Sequence, residues 1–396
     1  MKSLWDEAEA SQFNGDLGLR VYSSRLLGRD KSLVLHGGGN TSVKIREHNL
    51  VGEEEDILYV KGSGWDLEFI EAEGYSPVRI DHLVKLARLD ILTDSQMVNE
   101  LRTHMTNASA PTPSVEAILH AILPYKYVDH THADAILTIT NTVNGEQYIH
   151  DIFGDSVVVI PYIMPGFVLA RLCAKEFDRQ HNNNTVGMIL LNHGIFTFGN
   201  TARESYERMV QLVDQAEQYL QKNNAWNIPA PVSAANSATK ETIPGLRKAI
   251  SEKAGRPMLV RCHRGPADMS YVTRDDIAVI SQQGPVTPDH VIRTKRLPML
   301  GRDIQAYTNS YSDYFQRHCS PDLTMLDPAP RVILDPELGV CTAGKTATDV
   351  AVVADIYHHT MDVVQRASML GGYCALPASD IFDVEYWELE QAKLRK

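Results

Sequence analysis

Residues 186–217, VGMILLNHGIFTFGNTARESYERMVQLVDQAE, pass from one periodicity to another within a single stretch. The apolar run to Leu191 reads as a buried strand, Asn192-His193-Gly194 as a turn, and residues 195 to 198 as a second strand closed by Gly199. Thr201, with Glu204 three residues on, makes a capping box that opens an amphipathic helix running to residue 222. Strand, turn, strand and helix in that order imply a sheet covered by helices. Residues 330–362, PRVILDPELGVCTAGKTATDVAVVADIYHHTMD, repeat the order down to the glycine and the threonine cap, but no histidine stands in their turn. On pattern alone a diverged internal copy and a chance likeness between two common units both remain open.

Outward from this stretch the same alternation continues. SLVLH (32–36), TSVKI (41–45), DILYVKG (56–62), AILTIT (135–140) and SVVVIPY (156–162) read as strands, and residues 82–91, 112–123, 166–181 and 201–222 as helices. Thr112 before Pro113 is a helix-start pair and Pro124 a stop. Residues 223–243, NNAWNIPAPVSAANSATKETI, have the composition of a linker. The expectation is an α/β chain with a catalytic domain over residues 1–230 and a C-terminal α/β domain, either a degenerate repeat of the first or an independent unit, over 231–396.

With 396 residues, 43% of them hydrophobic and 22% charged, the chain is long enough for two ordinary globular cores. A formal net charge of −12 gives no basic face on which to neutralise phosphates, so a nucleic-acid partner is excluded and small-molecule chemistry favoured. Five scattered cysteines without a C-x-x-C pair, an acidic N-terminus without an apolar leader, and no run of membrane-spanning length imply a cytoplasmic protein that engages no membrane.

In KYVDHTHADAILTIT (126–140), His130 and His132 lie two apart in an extended segment and therefore on one face, with Asp129 and Thr131 on the other. An isolated H-x-H also fits a pair of surface histidines; His193, at a strand end before a glycine, supplies a third imidazole. Three neutral imidazoles with open coordination positions suit a catalytic zinc that keeps its full charge for polarising a substrate oxygen. Glu116 leads from the proline-started segment toward the H-x-H strand, and a glutamate beside a Lewis-acidic metal serves as general acid/base, although alone it fits a helix-start carboxylate. His120, four residues on, shares its face and suits packing or a supporting position better than ligation.

VLHGGGNTSVKI (34–45) removes side chains where something comes close to the backbone. It is not a dinucleotide fingerprint, because SVKI rather than a helix follows, and no G-x-S-x-G accompanies it to make a hydrolase. Backbone N–H groups at Gly38 and Gly39 with Asn40 and Ser42, joined by Lys61, Ser63 and Gly64 from VKGSGWDL (60–67), compose a phosphate cradle; a pair of hairpin turns is the plainer reading. GVCTAGKT (339–346) matches the Walker A pattern, but DPEL separates it from its strand and its interior lacks glycine, so an ordinary strand-to-helix turn is expected there.

GGGNTS, KGSGWDL, PTPSVEAILHAILPYKYVDHTHADAIL and LNHGIFTFG, in this order, resemble the class II aldolase/adducin family. SQQGPVTPDHVIRTK (281–295) and DIFDVEYWELEQAKL (380–394) are similar to the aldolase half of bifunctional rhamnulose-1-phosphate aldolase/alcohol dehydrogenase proteins; the expectation is a free aldolase or a fragment of such a protein. The resemblance implies a three-layer α/β/α domain on a largely antiparallel central sheet, in a homo-oligomer, typically a tetramer. It implies zinc or another divalent transition metal on His130, His132 and His193, with Glu116 as the acid/base. It also implies a phosphate at Asn40, Ser63 and Gly64, with Ser42 and Ser114 nearby. The implied reaction is cleavage of a ketose 1-phosphate of the rhamnulose-1-phosphate kind to dihydroxyacetone phosphate and an aldehyde, zinc stabilising the enediolate. An epimerase, dehydratase or decarboxylase of the same superfamily, acting on a sugar acid or sugar phosphate, and a non-catalytic adducin-like scaffold are the alternatives. Related aldolases often carry two adjacent hydroxyl residues before the acidic residue; Val115 replaces one here, which leaves a non-phosphorylated substrate open.

Overall fold

Short, mostly apolar and largely buried runs build most of the expected strands. A computed structural model describes residues 1–229 and 242–389. The chain forms two units, one of Met1–Thr140 with Asn144–Lys222, the other running from Asn223 onward with Asn141–Val143 attached.

In the first unit seven strands, β1 (Asn40–His48), β2 (Glu54–Lys61), β3 (Tyr75–Arg79), β4 (Tyr127–Thr131), β5 (Val157–Ile160), β6 (Gly187–Leu190) and β7 (Gly194–Gly199), form one sheet in the order β3-β2-β1-β4-β7-β6-β5. Every pair is antiparallel except β5 with β6. The helices Gly15–Arg29 and Ala202–Lys222 pack on β1, β4 and β7, while Ile80–Leu86, Ala117–Ile122 and Phe167–Gln180 form a second group against β2 and β5. This is a three-layer α/β/α domain on a largely antiparallel sheet. Strand alternation turns Asp129 of β4 toward the first helix group, where the Arg20 guanidinium lies 2.5 Å from its carboxylate and Ser205 donates to it at 2.6 Å. His130, the next residue, faces the other way.

Three local expectations fail, each for a physical reason. AILTIT lies in a helix, Asp134–Thr140; every residue of it is buried, so no polar period marks it, and Thr138 Oγ1 satisfies itself on the Asp134 carbonyl at 2.7 Å. SLVLH is irregular: the Leu33 and Ser32 carbonyls accept from His132 N at 3.0 Å and Asp134 N at 2.8 Å, which ties the segment beside the H-x-H residues rather than into the sheet. The helix expected over residues 112–123 is confined to Ala117–Ile122. Thr112–Ser114 instead runs antiparallel to Lys61–Ser63, with Ser63 N on Thr112 O at 2.8 Å and Ser114 N on Lys61 O at 3.1 Å. Glu116 consequently sits at the N-cap.

The second unit carries a smaller sheet of β8 (Leu259–His263), β9 (Met299–Leu300), β10 (Val332–Asp335) and β11 (Gly339–Gly344) in the order β8-β11-β10-β9. Antiparallel β8·β11 and β10·β11 with parallel β9·β10 repeat the order and senses of β4-β7-β6-β5. The likeness extends to detail: Thr197 Oγ1 donates to Ser205 O at 3.0 Å in the first unit and Thr342 Oγ1 to Val350 O at 3.2 Å in the second. In this register Cys262 stands where His130 does, opposite Cys341 rather than Phe196, and Leu338 precedes the strand glycine as His193 does. The Walker-like stretch is therefore strand β11, followed by a Thr346 capping box that opens Ala347–Leu370. Residues 230–241 of the expected linker lie outside the described residues; the helix Thr242–Ala254 begins directly after them. Among the described residues no helix is long and apolar enough to cross a membrane.

Candidate metal centre

Strand β4 delivers His130 at its end and His132 one residue past it, while the tight turn between β6 and β7 delivers His193, whose N–H bonds the Leu190 carbonyl at 3.1 Å. The turn closes because Asn192 adopts φ 57°, a left-handed conformation that asparagine tolerates. Ligand atoms of the three imidazoles all lie within 4.8 Å of one another, and the side chains are buried, at 1%, 9% and 3% exposure. His130 Nδ1 donates to the Ile195 carbonyl at 3.1 Å, which leaves Nε2 with its lone pair facing His132 Nε2 at 3.1 Å. A tetrahedral zinc with bonds of about 2.0–2.1 Å spaces its nitrogens roughly 3.4 Å apart, so the donors and their separation fit such an ion. Phe196 stacks on His130 with ring centroids 4.1 Å apart, fixing the ring plane. Gly194 leaves room for both rings: a Cβ there would stand 2.4 Å from the Thr131 carbonyl and 3.0 Å from each of His130 and His132.

Glu116 completes the cluster. Its Oε2 lies 3.7 Å from His130 Nε2 and its Oε1 3.9 Å from His193 Nε2, so one carboxylate spans two of the histidines. What holds it there is a chain of buried hydrogen bonds. Asn40 Nδ2 donates to Glu116 Oε2 and, at 3.3 Å, to Ser114 Oγ. That orientation turns Asn40 Oδ1 toward His120 Nε2, which must then carry the ring proton, so His120 Nδ1 accepts from Ser42 Oγ at 2.8 Å. Burial first, and then the neighbouring His130, Lys44 and Arg20, push the His120 pKa well below its ordinary value, consistent with this neutral tautomer. Ser114 Oγ also accepts from Glu116 N at 3.3 Å.

The remaining expected residues divide. Lys61 Nζ donates to the Gly37 carbonyl at 2.9 Å and so ties the two glycine turns together. Gly64 takes φ 93°, and Ser63 joins the ladder to Thr112. Gly39 is bare for a structural reason: at φ 60° its Cβ would meet the His130 carbonyl at 2.6 Å and Val34 Cγ1 at 2.7 Å. At Gly38 a Cβ would meet the Leu35 carbonyl at 2.9 Å and His132 Nδ1 at 3.7 Å. Asn40 and Ser42, expected at a phosphate, are engaged along the chain that leads to Glu116. The four-residue spacing to Glu116 marks His120 as a packing or supporting residue; nothing in the sequence marks Phe196 or Gly194 as orienting the cluster.

The family model described as Class II Aldolase and Adducin N-terminal domain matches residues 20–220, and the one described as Aldolase class II, second domain, matches residues 237–394. An uncharacterized oxidoreductase of Bacillus subtilis, YuxG, is 32% identical over the whole of this chain and 60% of its own length, so the chain spans less than two thirds of that relative. The N-terminal class II aldolase domain of a conserved protein from Thermoplasma acidophilum is 44% identical, over 56% of this chain and 99% of that one, with a TM-score of 0.51. A sugar-phosphate aldolase from Thermotoga maritima is 16% identical, over 53% of this chain and 97% of its own, with a TM-score of 0.39.

Proposed function

The chain belongs to the class II aldolase and adducin family, and from that premise we propose that it is a divalent-metal-dependent aldolase that cleaves a ketose 1-phosphate of the rhamnulose-1-phosphate kind. The observation that carries the reading is the Glu116 carboxylate at 3.7 and 3.9 Å from two of three convergent histidines. In this reading residues 1–230 are the catalytic domain and 231–396 a second domain, and the protein is a cytoplasmic homo-oligomer, a tetramer by family likeness; light scattering of the purified protein reads the subunit count.

A zinc or similar ion on His130, His132 and His193 would supply Lewis acidity to the substrate oxygens and offset the negative charge that carbon–carbon cleavage leaves beside the carbonyl. Glu116 moves the proton at the carbon that loses its bond, taking it in the condensation direction and returning it in cleavage. Asn40 keeps the carboxylate aimed by donating to it, and His120 with Ser42 keeps Asn40 from rotating. The Lys61, Ser63 and Gly64 turn holds the phosphate, so that a non-reacting group positions the bond to be broken.

The test is release of dihydroxyacetone phosphate from a panel of ketose 1-phosphates by the metal-replete protein, with Glu116→Gln beside it. Glu116→Gln keeps its metal and fold and loses roughly 10²-fold or more in turnover, the scale of a lost acid/base. Near-normal turnover of that variant removes Glu116 from the chemistry. Turnover of a sugar acid with none of the phosphates moves the reading to a related lyase or epimerase of the superfamily.

A further inference from the structure

In the second unit, a cavity of about 220 Å³ lies between the edge strand β9 and the helix Ile304–His318. Its lining is mostly apolar and aromatic, with Leu297, Pro298 and Met299 on the strand side and Tyr307, Tyr311 and Tyr314 from successive turns of one helix face. The one cationic side chain in the lining is Arg296. Its guanidinium lies over the Tyr314 ring, 4.8 Å from the centroid, and among the described residues its one hydrogen bond is a long one of 3.4 Å to the Gln283 carbonyl. Among the described residues no carboxylate pairs with it.

The neighbouring cation is differently placed. Lys295 Nζ meets Tyr311 Oη at 2.9 Å and Glu385 Oε1 at 3.4 Å, and Tyr311 Oη donates to the same carboxylate at 2.8 Å. Lys295 is therefore internally compensated behind the cavity wall, and Arg296, which Glu385 acts on only through space, is the cation that lines the cavity. Lys295 also takes φ 63° and ψ 168°, a conformation strained for a non-glycine residue that persists only where the surroundings hold it. That backbone turn separates two consecutive cations, one to the interior network and one to the cavity.

From this geometry we propose that the second unit binds a small organic monoanion, a carboxylate on an aromatic or branched aliphatic body, with the carboxylate on Arg296 and the body against the tyrosine faces. An arginine fork matches a carboxylate in two parallel bonds. A single cation balances one negative charge; a phosphate dianion would stay under-compensated, the more so because Asp303 also lines the cavity. The volume lies below the roughly 300–1,000 Å³ of pockets for drug-sized ligands, which suits a metabolite rather than a dinucleotide. Burial lowers the Arg296 pKa from its ordinary value, and an anion is what would offset that cost.

The test uses the full chain in its metal-replete form, with benzoate and 3-methylbutanoate as probes, benzamide as the neutral match for benzoate, and inorganic phosphate as the anion without a body. Titration calorimetry is run on the wild type, on Arg296→Gln and on Ala306→Trp, which fills the cavity from an exposed position on the helix without touching the arginine. The expected result is saturable binding of at least one carboxylate, weakened tenfold or more by Arg296→Gln and by Ala306→Trp, with benzamide and phosphate at least tenfold weaker than benzoate. If Arg296→Gln does not fold, Ala306→Trp alone decides. Absence of saturable carboxylate binding, binding that both variants leave unchanged, as at the histidine cluster, or phosphate binding as tightly as benzoate each overturns the proposal.

Discussion

Gly39→Ala puts the meaning of the glycine turn to a quantitative test. The new Cβ would lie 2.6 Å from the His130 carbonyl oxygen and 2.7 Å from Val34 Cγ1, and the backbone holds φ 60°. The left-handed conformation costs an L-residue about 1–2 kcal/mol, and forcing a methyl group into a filled contact costs about 1–3 kcal/mol more. The sum, ~2–5 kcal/mol, is a large part of the ~5–15 kcal/mol that stabilises a typical domain, so the variant folds but marginally. Relief has to come from the pairing of Asn40 with His130, because the intruding atom sits on that rung of the β1·β4 ladder. The histidines proposed as metal ligands should therefore move. Denaturant midpoints, metal content after dialysis against a weak chelator, and turnover of a phosphorylated and a dephosphorylated substrate read the three consequences. Stability should fall by that amount, metal retention should weaken, and both substrates should lose the same factor. Stability within about 0.5 kcal/mol of wild type, full metal, and a loss confined to the KM of the phosphorylated substrate would show that the glycine is bare for the phosphate and that the steric reasoning is wrong.

Alanine at His130, His132 or His193 should reduce bound divalent metal from about one per chain toward none, measured by elemental analysis, while substitution of Cys262 or Leu338, which stand in the second unit where His130 and His193 do in the first, should leave it unchanged; retention of metal and activity by all three histidine variants would discard the site. Lys44 Nζ donates to the Ala121 carbonyl at 3.0 Å and to that of Leu123, and burial lowers its pKa from 10.5 to about 8. Between those values the unfolded chain binds the proton and the folded chain does not, so the lysine's contribution to stability rises with pH across that window; below it the burial penalty is constant. The unfolding free energy of wild type minus that of Lys44→Met should accordingly be greater near pH 10 than near pH 7, and a flat or falling difference contradicts the assignment.

Much of the first unit's sheet was legible because TSVKI, DILYVKG, SVVVIPY and the GMIL and IFTF pair are bounded, β-rich runs with turns at both ends. AILTIT has the same composition and is a helix. Its residues are buried on every side, and a segment without a polar face carries no period to separate 3.6 from 2. The helix start at Thr112-Pro113 misled for a related reason: proline suits an extended residue as well as a first helical one, and the ladder to Lys61–Ser63 that decides between them joins residues fifty apart. That His130, His132, His193 and Glu116 come together could be read, because a metal site of the proposed kind restricts the residue types. The bonds that aim Glu116 could not, since Asn40 reaches Glu116 across 76 positions and His120 reaches Asn40 across 80.

Asn40 illustrates how one residue type serves two incompatible roles. Beside a glycine turn an asparagine amide suits a phosphate, yet here Nδ2 is directed to Glu116 and Ser114 and Oδ1 to His120. A phosphate and the Glu116 carboxylate would be two anions competing for one NH2 group, so the phosphate, if the substrate has one, falls to the Lys61, Ser63 and Gly64 turn. Asn40→Asp and Ser63→Ala separate these roles. Aspartate keeps the shape but replaces a donor by a second carboxylate at hydrogen-bond distance from Glu116, losing a charged hydrogen bond worth about 1.5–3 kcal/mol and adding repulsion. Turnover should drop roughly 10²-fold or more on every substrate, with KM little changed. Ser63→Ala should raise KM for the phosphorylated substrate and leave its dephosphorylated analogue alone. If Asn40→Asp instead raises KM for the phosphorylated substrate only, at near-normal kcat, the asparagine belongs to the phosphate and Glu116 is held by something else.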